Sequence, residues 1–454
     1  MKIEPRTLKG FRDFLPEQQI ARQKMIDTIR ASYEKFGFEP LETPVLEYAE
    51  ILTGKYGDEG DKLMYRFRDN GDRDVAMRYD LTIPLARVIA QYGEGGPDSG
   101  ANGGIKKPFK RYQVSPVWRA DNTQKGRFRE FYQCDADIVG SNSPLADAEI
   151  LSVASTTLKA LGVTDFIIRV NSREIISVFY DSLGFTDEQK VAAIRAVDKI
   201  AKIGVAGVEE ELTKFGASAA GAKFSPTVIK SVLAFADTSL DAVSGTEDIA
   251  KIAAEFPSIK APLAKLMSII ESAALLAPDT RFVLDLSISR GLDYYTGMIF
   301  ETTLPSAPAY GSVLSGGRYD NLIGTFAAKT VPAVGASIGL DRLIAALEEL
   351  KLIGTERTTA QAMIVNFDDA LQGEYLKMAS QLRSAGINTI LYLDQSDSKK
   401  TDMKKQLAYA SDKGIRYAII YGVNEAKTGL AIVKDMQKGT QESVKVGEVG
   451  KYLI

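Results

Sequence analysis

The chain has 454 residues, 45% hydrophobic and 25% charged, with a formal net charge of −3. That length buries a large core and allows roughly two to four domains, while the small net charge excludes a global basic field, so any RNA contact must come from local patches. A single cysteine, Cys134, excludes an internal disulfide and a cysteine metal site; with no histidine, imidazole acid–base chemistry and histidine-ligated zinc are excluded too.

At the start, MKIEPRTLKGFRDFLP lacks the apolar core of a secretory signal, and no uncharged apolar run reaches membrane-spanning length. The expectation is a cytoplasmic chain with no membrane segment. Glu17 to Phe36 reads as an amphipathic helix with Met25, Ile29, Tyr33 and Phe36 on one stripe, stopped by Gly37. FEPLETPVLEYAEIL then runs extended, broken by Pro40 and Pro44. Two strand-like runs between Met64 and Ala90 flank a turn at Asn70–Gly71. MRYDLT places Arg78, Asp80 and Thr82 on one side of an alternating run, where buried polar groups need partners. A structural ion pair explains them equally well. EGGPDSGANGG (94–104) is a flexible loop by composition, without the lysine and hydroxyl of a P-loop.

The densest chemistry lies in Phe109 to Gly140, FKRYQVSPVWRADNTQKGRFREFYQCDADIVG. It reads as two strands joined by a long polar loop, and the second strand alternates with period two. Phe128, Tyr132, Cys134, Ala136 and Ile138 form the apolar face; Arg127, Arg129, Phe131, Gln133, Asp135 and Asp137 form the other. Arginine forks suit phosphate, a ring can stack on a base, and carboxylates suit a cation such as an amino group. A salt-bridged exposed face would show the same alternation, and the pattern leaves both readings open.

Ala146 to Leu161 is helical and DFIIRVNSRE is a buried strand. From about Ser177 to Ala277 helices rich in Ala, Lys and Glu form an insertion with a capping box at Thr186 and Gln189 and no chemical motif. RFVLDLSI returns to strand pattern. RGLDYYTG (290–297) crowds Arg290, Asp293, Tyr294 and Tyr295 between glycines, and SGGRYDNL (315–322) repeats the theme with Arg318 and Tyr319. Glycine-rich strand ends often mark close approach of a ligand, and ordinary glycine turns give the same pattern. AVGASIGLDRLIAALEEL leads into a helix whose buried stripe is Leu340, Leu343, Ile344 and Leu347; Arg342, in the first turn and off that stripe, either reaches a ligand or is an exposed helix arginine. After a polar linker (351–360), alternating strands and helices, two of them capped by Gly386 and Gly414, indicate a small α/β domain with a largely parallel sheet and a final hairpin.

Taken together these residues resemble the class II aminoacyl-tRNA synthetases and, within them, the histidyl-tRNA synthetase family, over nearly the whole chain and most weakly through the helical insertion. GFEPLETPVLE is similar to motif 1 of the class, the dimer-interface element, with its proline at Pro44; VWRADNTQKGRFREF is similar to motif 2 and VGASIGLDRL to motif 3. RGLDYYTG, SGGRYD and MRYDLT are similar to the histidine-specific signature, and Asp80, Asp137 and EFYQCD look like the eukaryotic and archaeal branch. The fold this implies is α+β: an antiparallel-sheet catalytic domain in two parts, 1–176 and 278–350, a helical insertion over 177–277, and a C-terminal α/β anticodon-binding domain over 361–454. The activity it implies is ATP-dependent ligation of L-histidine to tRNA-His through a histidyl-adenylate, with Mg2+ accompanying ATP, in a homodimer formed through motif 1.

Residue by residue, the resemblance implies that Arg119 binds the ATP α-phosphate and the substrate carboxylate, with Arg290 a second catalytic arginine at the α-phosphate. Arg127 and Arg342 would hold the β- and γ-phosphates, and Phe131 and Arg342 would sandwich the adenine. Asp80, Thr82 and Gln133 would hold the α-amino group, Asp137 and Tyr295 would read the imidazole, and Tyr294 and Tyr319 would lie near that pocket. A different reading is a catalytically inactive relative that regulates another enzyme or senses tRNA; the complete arginine set and the presence of the C-terminal domain argue against it.

Overall fold

The computed structural model describes residues 3–55, 57–100, 103–218, 224–242, 245–289, 294–327, 329–354, 356–393 and 403–453. Two compact units emerge, one of Met1–Arg12 with Met25–Ile353, the other of Asp13–Lys24 with Gly354–Ile454.

The larger unit is built on a nine-stranded sheet. Its order across the sheet is Glu39–Pro40, Phe109–Trp118, Glu130–Val139, Ala333–Gly339, Ser312–Arg318, Met298–Thr303, Ile167–Ser172, Arg281–Asp285 and Ser239–Asp241. Every pairing is antiparallel except the first and the one between Ile167–Ser172 and Arg281–Asp285. The two strands expected in the motif-rich stretch pair without a break, from Phe109 opposite Val139 to Trp118 opposite Glu130. Their apolar face, with Cys134, Ala136 and Ile138 fully buried, packs in one core with Ile29 and Tyr33 of the helix Pro16–Lys35 and with Leu151 and Leu158 of the helix Pro144–Ala160. The first helix ends as the sequence indicates, on Gly37 at φ +77°. The helix Pro144–Ala160 starts on Ser143, whose hydroxyl accepts from the Leu145 N–H, with Pro144 in the first turn. Pro116 costs the sheet nothing. It lies opposite Tyr132, and the outer neighbour, Glu39–Pro40, reaches only Arg111 and Tyr112, so the missing N–H faces an unpaired edge.

One local expectation holds and one is corrected. The hairpin between Arg66–Arg68 and Asp74–Met77 forms with its turn at Asn70–Gly71, and Asp72 takes a left-handed φ of 59°. The Asp69 carboxylate holds the turn by accepting from the N–H groups of Gly71 and Arg73, both at 2.9 Å. The alternation read through MRYDLT stops at Met77, because a helix, Thr82–Tyr92, begins four residues after Arg78. Arg78 and Asp80 therefore part company. Arg78, buried, donates to the carbonyls of Pro116 (2.9 Å) and Thr43 (2.6 Å) and pairs with Glu42 at 3.0 Å, a structural role. Asp80 caps the helix by accepting from the N–H groups of Thr82 and Ile83.

The helical run contains six helices, from Arg173–Ser182 to Lys260–Leu276 among the described residues, and the capping box at Thr186 and Gln189 is present. Within it lies one strand that the sequence did not signal, Ser239–Asp241, which pairs antiparallel with Arg281–Asp285 in the main sheet.

The smaller unit has a five-stranded sheet in the order Thr389–Leu391, Ala362–Ile364, Tyr417–Ile420, Leu430–Asp435 and Gln441–Lys445. Two pairings are parallel and two antiparallel, so the sheet is mixed rather than largely parallel. The reason is chain length: a parallel return needs a crossover of about a dozen residues or more. Between Ile420 and Leu430 there is room only for the short helix Val423–Thr428, closed by Gly429 at φ +68°. Gly386 and Gly414 take left-handed φ at the ends of their helices, as expected. Among the described residues no helix is long and apolar enough to cross a membrane.

Candidate active site

A cleft of about 450 Å³ opens on the polar face of the large sheet. Of the residues singled out from sequence, Asp80, Thr82, Arg119, Arg127, Phe131, Gln133, Tyr294, Tyr295 and Arg342 line it together. Asp137 and Tyr319 lie directly beneath the lining, 3% and 2% exposed. Arg290, with Asp293, lies outside the described residues.

The floor is the strand Glu130–Val139, whose alternate side chains Phe131, Gln133, Asp135 and Asp137 rise from one face. On its inner side runs Ala333–Gly339, with Gly339 opposite Gln133, Ser337 opposite Asp135 and Gly335 opposite Asp137. Gly335 is required by close approach. A Cβ there would stand 1.9 Å from the Asp137 Oδ1 and 2.6 Å from its Cγ. One strand further, Gly317 faces Gly335, and a Cβ on it would meet the Tyr295 ring at 3.0 Å.

At one end of the cleft stand the arginines. The Arg119 Nε donates to the Tyr79 carbonyl at 3.0 Å, and its guanidinium lies 4.3 Å from the Tyr79 ring centroid and 5.2 Å from that of Phe131. Those ring faces hold the cation in place. Arg342 is in the first turn of the helix Leu340–Glu349, and its Nη1 donates to the Ser312 carbonyl at 2.6 Å. The buried Asp341 beside it fixes that helix to the strand: its Oδ2 accepts from the Tyr132 N–H at 2.8 Å, and its Oδ1 accepts from Arg12. Arg127 is exposed, 3.9 Å from Asp121. It precedes the strand, which starts at Glu130, so strand parity does not carry it to the cleft; the loop does, through a Gln124–Arg127 bridge and Gly126 at φ +69°. For the same reason Phe128, expected on the apolar face, lines the cleft with Arg12 stacked 3.2 Å over its ring. Arg129 does not line it. Its Nε donates to the Asp121 carbonyl and its N–H to the Gly10 carbonyl.

At the other end are acids and phenols. The Gln133 Nε2 donates to the Ser337 Oγ at 2.8 Å, while its Oε1 is buried with no hydrogen-bond partner among the described residues. The Tyr294 hydroxyl donates to the Asp80 Oδ2 at 3.4 Å. Tyr294 meets Tyr295 and Tyr319 edge to face, with centroids 5.3 and 5.7 Å apart. Asp137 accepts from the Tyr319 hydroxyl and pairs at 2.9 Å with Arg111, which is fully buried and also donates to the Leu81 carbonyl at 3.0 Å. Burial pushes the Asp135 carboxyl up to about 7 against the pull of Arg111. Burial likewise raises Asp137, opposed by Arg111 and the Tyr319 hydrogen bond, and raises the phenols of Tyr295 and Tyr319.

Arg111, Ser312, Ser337 and Asp341 were not singled out from sequence. For Arg111 a signal existed: with Gln113 and Ser115 it forms the period-two polar face of the first strand, paired to Asp137, Asp135 and Gln133 in turn. Arg318, which the glycine pattern drew attention to, is directed elsewhere, onto Asp147, Asp320 and the Ser141 carbonyl. The cleft's polar groups are arginine, aspartate, glutamine, serine, threonine and tyrosine, with no imidazole.

This arrangement has close counterparts. A family model described as histidyl-tRNA synthetase matches residues 10–343, and one described as an anticodon binding domain matches 361–454. A curated histidine–tRNA ligase of Rhodopirellula baltica is 44% identical, covering 98% of this chain and 96% of that protein. A histidyl-tRNA synthetase structure from Nostoc is similar with a TM-score of 0.86 and 34% identity, covering 100% of this chain and 99% of the other. A Bacillus halodurans structure described as an ATP phosphoribosyltransferase regulatory subunit/histidyl-tRNA synthetase has a TM-score of 0.73, covering 92% of this chain and 99% of its own; at 21% identity it shows the shared fold. With the family model spanning the whole of the cleft-forming sheet and the relatives matching end to end, the chain belongs to the histidyl-tRNA synthetase family.

Proposed function

We propose that this chain activates L-histidine with ATP and transfers it to tRNA-His. One observation carries the reading: a single strand presents Phe131, Gln133 and Asp137 in order along a cleft with Arg119 and Arg342 at one end and Asp80 and the tyrosines at the other. ATP and amino acid then lie along that strand, phosphates to the arginines, adenine between Phe131 and Arg342, ammonium to Asp80, Thr82 and Gln133, imidazole to Asp137 and Tyr295.

In the first step the histidine carboxylate attacks the α-phosphorus, the bond to the β-phosphate oxygen breaks, and pyrophosphate leaves. Two anions meet, so donors aimed at the phosphoryl oxygens lower the barrier most where water is excluded. The Tyr79 hydrogen bond occupies the Arg119 Nε and leaves Nη1 and Nη2 for those oxygens. Arg290 is the second such donor by its place in RGLDYYTG, and Arg127 and Arg342 meet the leaving phosphates. Mg2+ accompanying ATP would take up part of the pyrophosphate charge, beside Arg127 and Arg342. In the second step the terminal ribose hydroxyl of the tRNA attacks the adenylate carbonyl and AMP leaves. With no imidazole in the chain, the hydroxyl proton passes to a phosphate oxygen of the adenylate. Selectivity comes from buried acceptors that an amino acid without an imidazole N–H leaves unpaired.

Residues 361–454 would read the anticodon. A homodimer through the segment around Pro44 is supported by an apolar face there: Leu46, Tyr48 and Phe67 are 43%, 53% and 46% exposed on a three-stranded sheet. The work belongs to translation in the cytoplasm. The decisive test is ATP–pyrophosphate exchange: exchange dependent on L-histidine supports an enzyme, and its absence in a folded protein favours a catalytically inactive regulator or tRNA sensor.

A further inference from the structure

The arginine end of the cleft is strapped by a segment that the mechanism above leaves unused. Residues 8–12 turn over the loop that carries Arg127. The Phe11 N–H donates to the Leu8 carbonyl at 3.0 Å, and Gly10 takes φ +89°. This left-handed backbone lies against Arg129: the Gly10 carbonyl accepts from the Arg129 N–H at 2.9 Å, and a Cβ on Gly10 would stand 2.7 Å from the Arg129 Cγ and Cδ. The Phe11 ring meets Tyr65 edge to face, with centroids 6.1 Å apart. Arg12 then reaches two segments at once. Its guanidinium carbon lies 3.2 Å over the Phe128 ring, and its Nη2 donates to the Asp341 Oδ1. The Asp341 side chain is 2% exposed, so this hydrogen bond ends on a buried carboxylate. The other oxygen of that carboxylate, Oδ2, accepts from the Tyr132 N–H at 2.8 Å.

Each partner of Arg12 stands one residue from an arginine of the cleft: Phe128 follows Arg127, and Asp341 precedes Arg342. All four line the cleft, whereas Arg12 does not. We propose that Arg12 is a positioning residue for ATP: it clamps the loop before Glu130–Val139 to the first turn of Leu340–Glu349, and so fixes Arg127 and Arg342 relative to each other before ATP arrives. The inference rests on the reading of this cleft as the ATP site. The loop needs such a clamp. It precedes the strand, so no sheet ladder holds Arg127 or Phe128. The loop's own ion pair with that helix, Lys125 to Glu349, is exposed on both sides, and Arg127 is 3.9 Å from Asp121; pairs of this kind hold weakly. A guanidinium does what they cannot, because it stacks flat on a ring while donating in its own plane to a carboxylate. With the loop ordered in advance, ATP binding does not have to order it.

The experiment is ATP–pyrophosphate exchange by the full chain with L-histidine, for the wild type, Arg12→Ala and Arg12→Lys. Loss of a charge-assisted hydrogen bond and of the stack should raise ATP KM in Arg12→Ala by about tenfold or more, with histidine KM unchanged, since the acids and phenols lie at the far end of the cleft. Arg12→Lys keeps the cation and loses the planar fork, so its ATP KM should fall between the two. Should Arg12→Ala fail to fold, Arg12→Lys carries the test, because it leaves a cation beside the buried Asp341. Calorimetric titration with ATP alone should show the same order of affinities. Adding Asp341→Asn to Arg12→Ala should raise ATP KM by less than the product of the two single effects, because both act through one contact. Wild-type ATP KM in the folded variants, an equal rise for ATP and histidine, or independent effects in the double variant overturns the role of Arg12 while the enzyme stands. A wild-type protein without histidine-dependent exchange overturns the functional reading instead.

Discussion

Replacing Gly335 by alanine tests the histidine pocket with a single methyl group. The added Cβ would stand 1.9 Å from the Asp137 Oδ1, where real contacts essentially never fall under 3.0 Å. Asp137 must retreat by about 1 Å or more. It has nowhere to go within its hydrogen bonds, since it is 3% exposed, accepts from Tyr319 and pairs with Arg111 at 2.9 Å. Misplacing a substrate-positioning group by about 1 Å costs on the order of a hundredfold in rate, and overpacking costs about 1–3 kcal/mol of stability. In ATP–pyrophosphate exchange the expected result is a loss of about a hundredfold in kcat/KM for histidine, with ATP KM unchanged and a modestly lowered Tm. Gly354→Ala is the control. A Cβ there meets nothing within 4 Å, so the change should be silent. A folded Gly335→Ala protein with wild-type histidine KM would refute the placement of Asp137 against the substrate.

Arg119→Ala should lower adenylate formation by about a hundredfold or more while the protein stays folded, because a donor to the developing charge is lost; wild-type exchange would remove Arg119 from the reaction. Asp137→Asn keeps the shape and loses the charge, so histidine KM should rise with little change for ATP, and an equal loss for both substrates would make Asp137 structural. Deleting residues 361–454 should leave histidine adenylation largely intact and cripple tRNA charging, measured by aminoacylation; charging at full rate would mean that the acceptor end alone carries recognition.

Where the chain runs as a regular strand, its sequence was a good guide. Alternation in EFYQCDADIV placed Phe131, Gln133, Asp135 and Asp137 on the site face and Cys134, Ala136 and Ile138 in the core, because side-chain period and burial agree there. It failed at both ends of that logic. Arg127 and Phe128 precede the strand, and a left-handed Gly126 redirects them. After Met77 a carboxylate cap starts a helix where alternation read a continuing strand. The mixed sheet of the smaller unit was misread because strand direction depends on the length of a connection rather than on the strands it joins. Arg111 escaped notice because its partner in the pair is supplied by register, and register is invisible until two strands are aligned.

The cleft handles its protons and charges with carboxyls, phenols and guanidinium groups, and the 454 residues contain no histidine. A protein that supplies histidine to the ribosome is thereby composed of everything except its own product. When charged tRNA-His runs short, ribosomes stall on other messages at each histidine codon, but these 454 residues can be translated without waiting at one. The supply loop has no self-dependence within this stretch: decoding it draws no charged tRNA-His.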